Sequence, residues 1–413
     1  MDDTLPQITW LDDDGQPQRA AWRSLAGHPA PAPVVVADDR MSADAAYRLA
    51  RQGTGLLWRG DYQNARHLLQ ALGRRVDAAA NAEDRRRVDA AANAEDRRRV
   101  HAAANAEDRR RVNPSSSAPS PTLADAFVAQ RRLQAQRARI GGSVLLPFNA
   151  DHSLPLRRAP DVRVAGLQAH GPVGSHYVAP LRELLGVVGA FEWRKKGVLV
   201  PALGAAIHPH HGVFSPVRGE YVALVASTPL PPAALAHGAF DIGTGTGVLA
   251  AVLARRGLRV VATDLSRAAL ACAADNLGRL GLADAVSLQA ADLFPDGQAG
   301  LIVCNPPWVP APSSSPLDAA VYDPDSRMLR GFLAGVAQHL APGAQAWLVL
   351  SDLAEHLGLR SRDRLLGWVA DGGLAVLGRC DVPPRHRRAA DASDPLHAAR
   401  AAEVTSLWRL ALR

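Results

Sequence analysis

Residues 240–250 read FDIGTGTGVLA: a short apolar run, three glycines at alternate positions, and a second apolar run. The first run, Ala239–Ile242, predicts a buried strand, and the second, 248–256, predicts a helix. The glycines allow a sharp turn between them and let a ligand approach the backbone at the helix N-terminus. Alone the turn is a weak signal, because dehydrogenases carry a similar turn with the spacing GxGxxG.

The sequence around this turn alternates regularly between strand-like and helix-like segments. Repeated βα units predict an α/β fold with a doubly wound, mostly parallel, seven-stranded Rossmann-like sheet, and ligands at the carboxyl ends of its strands. The predicted strands are 239–242, 258–263, 285–289, 300–304, 345–350, 374–378 and 405–412, and the predicted helices are 248–256, 267–280, 327–340 and 355–370.

The chain upstream differs in composition. Residues 42–75 have apolar side chains at intervals of three and four, which predicts a small helical N-terminal domain over 1–75. VDAAANAEDRRR occupies 76–87 and 88–99, and VHAAANAEDRRR occupies 100–111. Each copy favours a helix, but twelve residues at about 100° each rotate the next copy by roughly 120°. The copies therefore share no apolar face, and we interpret 76–122, which ends in a Pro/Ser linker, as a solvent-exposed spacer.

Two more domains complete the predicted organisation. Residues 123–225 mix short β-like runs (142–148, 162–168 and 196–203) with turns, and we interpret them as a mixed α/β pre-domain containing strands. Residues 226–413 hold the βα alternation and form the predicted catalytic domain.

Composition limits the class of protein. The net charge of +7 permits an anionic partner such as RNA, although an ordinary solvated surface explains it equally well. Three scattered cysteines without a CxxC pair fit a reducing compartment. The acidic N-terminus has no signal-peptide pattern, and no apolar run reaches the roughly 18 residues of a membrane span. We expect a cytoplasmic protein with no membrane partner. His208, His210 and His211 lack a carboxylate or cysteine at ligand spacing, so no metal is expected.

Acidic residues follow the predicted strands. Asp264 ends the second strand, 23 residues after Asp241, where a carboxylate can accept both hydroxyls of a ribose. Asp292 follows the third strand and can accept from the amine of an adenine. Each of these residues is equally well explained as a helix cap or a turn former.

The fourth strand ends in Asn305-Pro306-Pro307-Trp308, a segment for which a dehydrogenase has no use. The side-chain oxygen of Asn305 and the carbonyl of Pro306 can both accept from one NH2 group, and the locked φ of proline fixes the direction of that carbonyl. Trp308 offers a face on which a planar amide or base can stack. This arrangement suits methyl transfer to a planar nitrogen, a reaction that depends largely on positioning.

Residues 212 to about 380 resemble class I S-adenosylmethionine-dependent methyltransferases, in the N-methylating branch with an [ND]PP[YFW] motif. That branch includes release-factor glutamine methyltransferases and ribosomal-RNA base methyltransferases. The resemblance implies S-adenosylmethionine as cofactor, with Asn305, Pro306, Pro307 and Trp308 holding the target nitrogen. It also implies a set of cofactor-binding residues: Asp241, Gly243, Thr244, Gly245, Gly247, Asp264, Leu265, Asp292, Leu293 and Asn305.

The acceptor stays open. NPPWVP is similar to the NPPYIP of the glutamine enzymes, with Trp for Tyr. GVFSPVRGEYVALV (212–225) resembles a segment of ribosomal-RNA guanine methyltransferases, and Phe214 and Glu220 are candidate contacts there. We favour an exocyclic base amine of ribosomal RNA over a protein glutamine, on the GVFS segment and net charge. Two further alternatives are an NAD-binding oxidoreductase, which leaves NPPW unexplained, and a non-catalytic interaction protein, against which the intact glycines and Asn305 argue.

Overall fold

The structure is a computed structural model of the 413-residue chain. It describes residues 6–12, 14–104, 122–216, 219–313, 316–384, 391–392 and 394–413. The chain divides into two compact units, Met1–Leu185 and Gly186–Arg413. The predicted pre-domain is therefore split, because residues 123–185 belong to the first unit and 186–225 to the second.

The first unit is built on a six-stranded sheet with the order β1-β2-β6-β5-β4-β3. Its pairs are mixed: β3, β4 and β5 run parallel to one another, while β6 pairs antiparallel with β5. Buried Ile8, Trp22, Leu57 and Leu145 pack together in its core. The strands are β1 (Gln7–Leu11), β2 (Pro17–Trp22), β3 (Val34–Ala37), β4 (Gly55–Trp58), β5 (Val144–Phe148) and β6 (Tyr177–Pro180).

Helices accompany this sheet. They are α1 (Ala43–Arg51), α2 (Tyr62–Ala104), α3 (Leu123–Gly141) and α4 (Arg163–His170). Residues 1–75 are therefore not the small helical domain that the sequence predicts, because they supply four strands of the sheet. The apolar residues of β4 fit a helical period as well as a buried strand, and a run of four residues is too short for periodicity to separate the two. Residues 163–168 are likewise helical in α4 and not β-like.

The long helix α2 contains the first two repeat copies and the start of the third. Leu72 and Val76 are buried, and Asp77 accepts from Arg137 of α3 at 2.6 Å between Oδ1 and Nε. The helix therefore packs on α3 where the repeats begin. The rest of the third copy and the Pro/Ser linker as far as residue 121 lie outside the described residues.

The unit boundary lies within α5 (Leu181–Lys196). A small antiparallel pair follows, formed by β7 (Val198–Val200) and β8 (Ala205–Ile207). The helices α6 (Glu220–Ser227) and α7 (Pro232–His237) then lead into the main sheet of the second unit.

That main sheet has seven strands in the order β11-β10-β9-β12-β13-β15-β14. Pairs from β11 through β13 are parallel, and β15 pairs antiparallel with both β13 and β14. The prediction of a mostly parallel, seven-stranded Rossmann-like sheet is confirmed. The strands are β9 (Ala239–Ile242), β10 (Val260–Asp264), β11 (Val286–Ala290), β12 (Ala299–Cys304), β13 (Leu340–Ser351), β14 (Leu374–Val382) and β15 (Thr405–Leu412).

Apolar clusters cover both faces of this sheet, one centred on Leu253, Val303 and Trp347 and the other on Ile302 and Phe332. The doubly wound arrangement is therefore present. Helices of this unit are α8 (Val248–Arg255), α9 (Arg267–Arg279), α10 (Pro316–Ala319), α11 (Arg327–His339), α12 (Leu353–His356), α13 (Arg362–Asp371) and α14 (His397–Ala402). Within the described part of the chain, no helix combines the length and apolar character of a membrane span.

The close packing of α7 on β12 generates a test. A Cβ at Gly300 of β12 would overlap the backbone carbonyl of Ala233 in α7. We expect Gly300→Ala to lower the free energy of unfolding by about 1–3 kcal/mol, because backbone must shift to admit the methyl group. Urea unfolding followed by circular dichroism measures this.

Gly278→Ala is the matched control, because a Cβ on that exposed residue of α9 meets nothing within 4 Å. We expect the control to raise the free energy of unfolding by about 0.5–1 kcal/mol, through higher helix propensity. Equal urea midpoints for Gly300→Ala and the unchanged protein would contradict this packing.

Candidate active site

Four neighbouring parallel strands of the second unit end at one edge of the sheet. Ile242 of β9 is paired with Cys304 of β12, so Gly243 and Asn305 each lie one residue past a paired position. On the other side of β9, Asp264 ends β10 opposite Ala290 of β11. The chain passes from β9 to β10 on one side and from β12 to β13 on the other, so the crevice between the carboxyl ends of β9 and β12 is the topological switch point where such sheets bind ligands.

The glycine turn lies at that crevice. Gly243, Gly245 and Gly247 have φ of +73°, +57° and +79°, a region that side-chain-bearing residues rarely adopt. A Cβ on Gly247 would lie 3.1 Å from Cβ of Ala273 in α9, and one on Gly243 would meet the methyl group of Met328. A Cβ on Gly245 would meet nothing within 4 Å. The positive φ therefore favours glycine at all three positions, Gly247 is in addition closely packed on α9, and the backbone at Gly245 is open to a ligand.

The carboxylate of Asp241 points into the protein. Its Oδ2 accepts from the Thr244 hydroxyl at 2.6 Å and from the backbone N–H of Ala250 at 3.0 Å. The residue is 1% exposed, and burial raises the pKa of its carboxyl to about 6 against the two hydrogen bonds. Both Asp241 and Thr244 thus fix the turn to the first turn of α8, and their predicted contact with a cofactor stays a prediction.

Asp264 lies beside the turn, and its carboxylate can accept further hydrogen bonds. Its Oδ2 accepts from the backbone N–H of Gly245 at 3.0 Å, and its Oδ1 accepts from that of Ser266 at 2.8 Å. Because each carboxylate oxygen has about two lone-pair sites, both retain one for another donor. The next side chain, Leu265, is 64% exposed and offers an apolar surface next to this carboxylate.

Asp292 and Leu293 follow β11. The Asp292 side chain is 58% exposed, and its Oδ2 lies 3.1 Å from an Arg327 guanidinium nitrogen at the start of α11. Leu293 has a φ of +76°, its carbonyl accepts from the Thr263 hydroxyl at 2.5 Å, and its side chain packs against the core. Asp292 is accessible to a ligand, whereas Leu293 is mainly held by packing.

The Asn305–Trp308 segment follows β12 directly. Asn305 is half-buried, and its Oδ1 accepts from the indole Nε1–H of Trp308 at 2.9 Å. An amide oxygen has two lone pairs, so one remains available. Pro306 is buried, and its carbonyl oxygen has no hydrogen-bond donor among the residues that the structure describes. The Trp308 ring is half-buried and packs against both core clusters.

Asp323, which the sequence suggests as a residue of the pocket rim, has with Met328 a supporting role that the sequence interpretation did not assign. Asp323 is buried and accepts from the N–H groups of Met328 at 3.0 Å and Leu329 at 3.2 Å, while its own N–H donates to the carbonyl of Val309. Burial raises the pKa of its carboxyl against these bonds. It thus ties the segment after Trp308 to the N-terminus of α11. An aspartate four residues before a predicted apolar helix was the available signal.

The histidine segment is fixed to α9. His210 Nε2 lies 3.1 Å from Asp275 Oδ2, and the backbone N–H of His208 donates to the Asn276 side chain at 2.8 Å. Val213 packs against Ala269 and Cys272 of the same helix. Among the described residues no group of three or more His, Cys, Asp or Glu side chains is arranged to hold a metal ion.

The other predicted contacts of this segment are Phe214 and Glu220. Phe214 is half-buried, and Glu220 begins α6. Residues 217–218, which separate them, are outside the described part of the chain. A cofactor contact for these two residues stays a prediction.

A doubly wound sheet with an acidic residue after β10 and a glycine turn at the switch point defines a nucleotide- or nucleoside-binding α/β domain. Residues 204–361, less than half of the chain, match the family model described as the methyltransferase small domain. The match supports an S-adenosylmethionine-dependent methyltransferase in this region, with S-adenosylmethionine as its cofactor. No curated protein matches the chain.

Several solved structures are similar to part of the chain. The ribosomal protein L11 methylase of Lactobacillus delbrueckii subsp. bulgaricus is 17% identical, with a TM-score of 0.34, over 51% of this chain and 86% of the other. A Geobacter sulfurreducens S-adenosylmethionine-dependent methyltransferase bound to S-adenosyl-L-homocysteine is 17% identical, with a TM-score of 0.32, over 47% of this chain and 90% of the other. A geranyl diphosphate methyltransferase is 16% identical, with a TM-score of 0.36, over 48% of this chain and 86% of the other.

The residues at the switch point fit S-adenosylmethionine. The free lone pairs of Asp264 suit ribose hydroxyls, the exposed face of Leu265 suits an adenine ring, and the open backbone at Gly245 admits the ligand closely. The exposed carboxylate of Asp292 suits the adenine amine.

The buried Asp241 makes a prediction about pH. Its pKa, near 3.8 in the unfolded chain, is about 6 in the folded protein, so its contribution to stability is full below pH 4 and is lost as the pH rises through about 6. We expect Asp241→Asn to abolish this loss, because both native hydrogen bonds go to one oxygen that an amide keeps. At pH 7 the unchanged protein should have lost about 3 kcal/mol of free energy of unfolding that the Asp241→Asn variant retains.

Urea unfolding of both proteins between pH 4 and 8 gives the measurement, and subtracting the two curves removes the other titrating groups. Curves that stay parallel over this range would show that burial does not raise the pKa of Asp241.

Proposed function

We propose that the second unit transfers a methyl group from S-adenosylmethionine to a planar nitrogen. The observation that carries this proposal is the register of β9 and β12, which sets Asn305 and Gly243 at equivalent positions just past a paired residue. Asn305 thus lies at the same edge of the sheet as the turn that fits the cofactor. A dehydrogenase has no use for an amide and two prolines there.

The chemistry follows from the two acceptors. The remaining lone pair of Asn305 Oδ1 and the Pro306 carbonyl accept from the two hydrogens of one NH2 group. Accepting both hydrogens orients the group and increases electron density on a nitrogen whose lone pair is otherwise delocalised. When bound, S-adenosylmethionine supplies a sulfonium that makes its methyl carbon reactive without a strong base.

Transfer is then a question of alignment. The nitrogen uses its lone pair to form the N–C bond, the electron pair of the broken S–C bond returns to sulfur, and the nitrogen loses one proton to water. Holding the nitrogen in line with the S–C bond supplies most of what catalysis requires. Pro306 and Pro307 restrict φ and therefore hold the acceptor carbonyl in one direction.

The acceptor that we propose is an exocyclic amine of a ribosomal-RNA base. The net charge of +7 and the GVFS segment at 212–215 support this choice. The alternative is the side-chain amide of a protein glutamine, as in a release factor, which the similarity of NPPWVP to NPPYIP supports. Both present a planar NH2 group and satisfy the same clamp.

Asn305→Ala tests the clamp. We expect turnover to fall by about 100- to 1,000-fold, because the positioned acceptor is lost at the reacting atom. The affinity for S-adenosylmethionine, measured by isothermal titration calorimetry, should stay nearly unchanged. Turnover that survives this substitution excludes the proposed mechanism.

Asp264→Ala is the matched comparison at the other end of the crevice. It should weaken S-adenosylmethionine binding while leaving a saturated enzyme active, the reverse of the pattern for Asn305→Ala. Titration of the unchanged protein with NAD belongs in the same series. If the protein binds NAD and does not bind S-adenosylmethionine, its assignment as a methyltransferase is wrong.

Trp308→Phe separates the indole N–H from the ring. Phenylalanine keeps a stacking face but loses the 2.9 Å bond to Asn305, which frees the amide to rotate. We expect kcat to fall about fivefold, corresponding to about 1 kcal/mol, with little change in KM for the cofactor. Trp308→Ala, which also loses the face, should raise KM for the acceptor as well. Identical kinetics for Trp308→Phe and the unchanged enzyme would show that the N–H has no positioning role.

The acceptor is identified by mass spectrometry of ribosomal RNA and release factors from a strain lacking this protein. One missing methyl group on an RNA base supports the favoured acceptor, and one missing from a glutamine supports the alternative.

A further inference from the structure

One side chain of α9 joins the glycine turn to the chain segment that leads to Phe214. Asn276 is 1% exposed, and its Nδ2 donates to the carbonyl of Thr246 at 3.0 Å. Its Oδ1 accepts from the backbone N–H of His208 at 2.8 Å. Thr246 lies within the turn, whereas His208 lies far before it along the chain. A single buried amide thus connects two backbone segments that are distant in sequence.

The two partners fix the orientation of this amide. A carbonyl can only accept and a backbone N–H can only donate, so the NH2 group points to Thr246 and the oxygen to His208. Alanine and leucine favour a helix more than asparagine does, but neither could satisfy these two backbone groups. The bridge therefore explains why a buried position of α9 carries an amide.

Neighbouring residues of α9 contact the same two segments. A Cβ on Gly247 of the turn would lie 3.1 Å from Cβ of Ala273. The thiol of Cys272 accepts from the backbone N–H of His210 at 3.3 Å. The turn and the 208–213 segment therefore pack on one stretch of α9, and Asn276 is the residue of that stretch that bonds to both.

Asn276 and Asp264 hold adjacent parts of the turn. The N–H of Gly245 donates to Asp264, and the carbonyl of the next residue, Thr246, accepts from Asn276. The open backbone at Gly245 and the remaining lone pairs of Asp264 are the features that fit S-adenosylmethionine. A turn that moved at Thr246 would therefore alter the cofactor site directly.

We propose that Asn276 is a positioning residue for S-adenosylmethionine: its amide fixes the turn and the 208–213 segment relative to each other, so that both are in place before the cofactor binds. Asn276 itself does not touch the cofactor. Preorganisation raises affinity because less of the protein has to be ordered on binding. The inference rests on the cofactor placement that the proposed function also uses.

Asn276→Asp separates positioning from packing, because it preserves the size of the side chain. A protonated carboxyl donates to Thr246 and accepts from His208, as the amide does, whereas an ionised carboxylate can only accept and faces the Thr246 carbonyl. Burial disfavours the ionised form, so the new carboxyl should titrate above the usual range of an aspartate. We expect the affinity for S-adenosylmethionine to fall about tenfold, relative to the unchanged protein, as the pH rises from 5 to 8.

Isothermal titration calorimetry of the full chain measures this affinity, with circular dichroism at each pH to show that the protein is folded. The ratio to the unchanged protein removes groups that titrate in both, among them Asp241, His208 and His210. Two other neighbours titrate outside this range. Burial raises the pKa of the Cys272 thiol to about 11, and although burial acts against it, hydrogen bonds lower that of Asp275 to about 2.

Asn276→Ala removes the bridge at every pH. It should weaken S-adenosylmethionine binding about tenfold, with the same pH dependence as the unchanged protein. Asn149→Asp is the matched control, because it exchanges an amide for a carboxyl at an exposed residue of the first unit. The affinity of this control should equal that of the unchanged protein at each pH.

A purely structural role lowers the free energy of unfolding but leaves the affinity of the folded protein unchanged. The proposal is therefore overturned if Asn276→Asp shows the same pH dependence of affinity as the unchanged protein, and this result counts even where Asn276→Ala does not fold. Absent cofactor binding to the unchanged protein refutes both this inference and the proposed function. The expected pattern of affinities without methyl transfer to a planar nitrogen supports Asn276 and refutes the proposed function alone.

Discussion

The active-site edge depends on two carboxylates that hold a turn of positive-φ glycines. Asp241 lies beneath the turn and receives the Thr244 hydroxyl and the Ala250 N–H on one oxygen, and Asp264 receives the N–H of Gly245 from the side. Because the Asp241 carboxyl is buried, its ionised form is disfavoured, and its pKa is raised as a result. The benefit is a turn whose shape is set before any ligand arrives, with a free lone pair on each oxygen of Asp264 and open backbone at Gly245.

Much of the second unit could be predicted because its periodicity is strong and its elements are long enough. The order of the strands in the sheet, however, can be inferred only from general connectivity rules. The direction of each side chain cannot be inferred from the sequence. The sequence identifies Asp241 as acidic at a strand end, but a neighbouring threonine hydroxyl and helix N–H turn it inward. The predicted helix 355–370 is broken into α12 and α13, because Gly358 adopts a φ of +70° and Ser361 caps the second helix.

The first unit was predicted poorly for a physical reason. Its strands are four to six residues long, and β4 is buried on both sides, so its apolar run carries no alternation. The strong amphipathic pattern of α1 on one side and α2 on the other extends across it and suggests helix throughout. The repeats show the converse. Their local helix propensity was sufficient to predict a helix, yet among the repeat side chains that the structure describes only Val76, at the start of the first copy, is buried.

The bond between Trp308 and Asn305 limits what the clamp can choose. With the indole N–H on Oδ1, the amide cannot rotate to present its NH2 in that position, so the incoming group must be a donor. That condition selects a nitrogen bearing hydrogens and rejects ring nitrogens that only accept. A base amine and a glutamine amide meet it equally, because both are planar and both carry two hydrogens. The clamp that we propose therefore accounts for transfer to a nitrogen that carries hydrogens, and under this proposal surfaces beyond the clamp make the choice between RNA and protein.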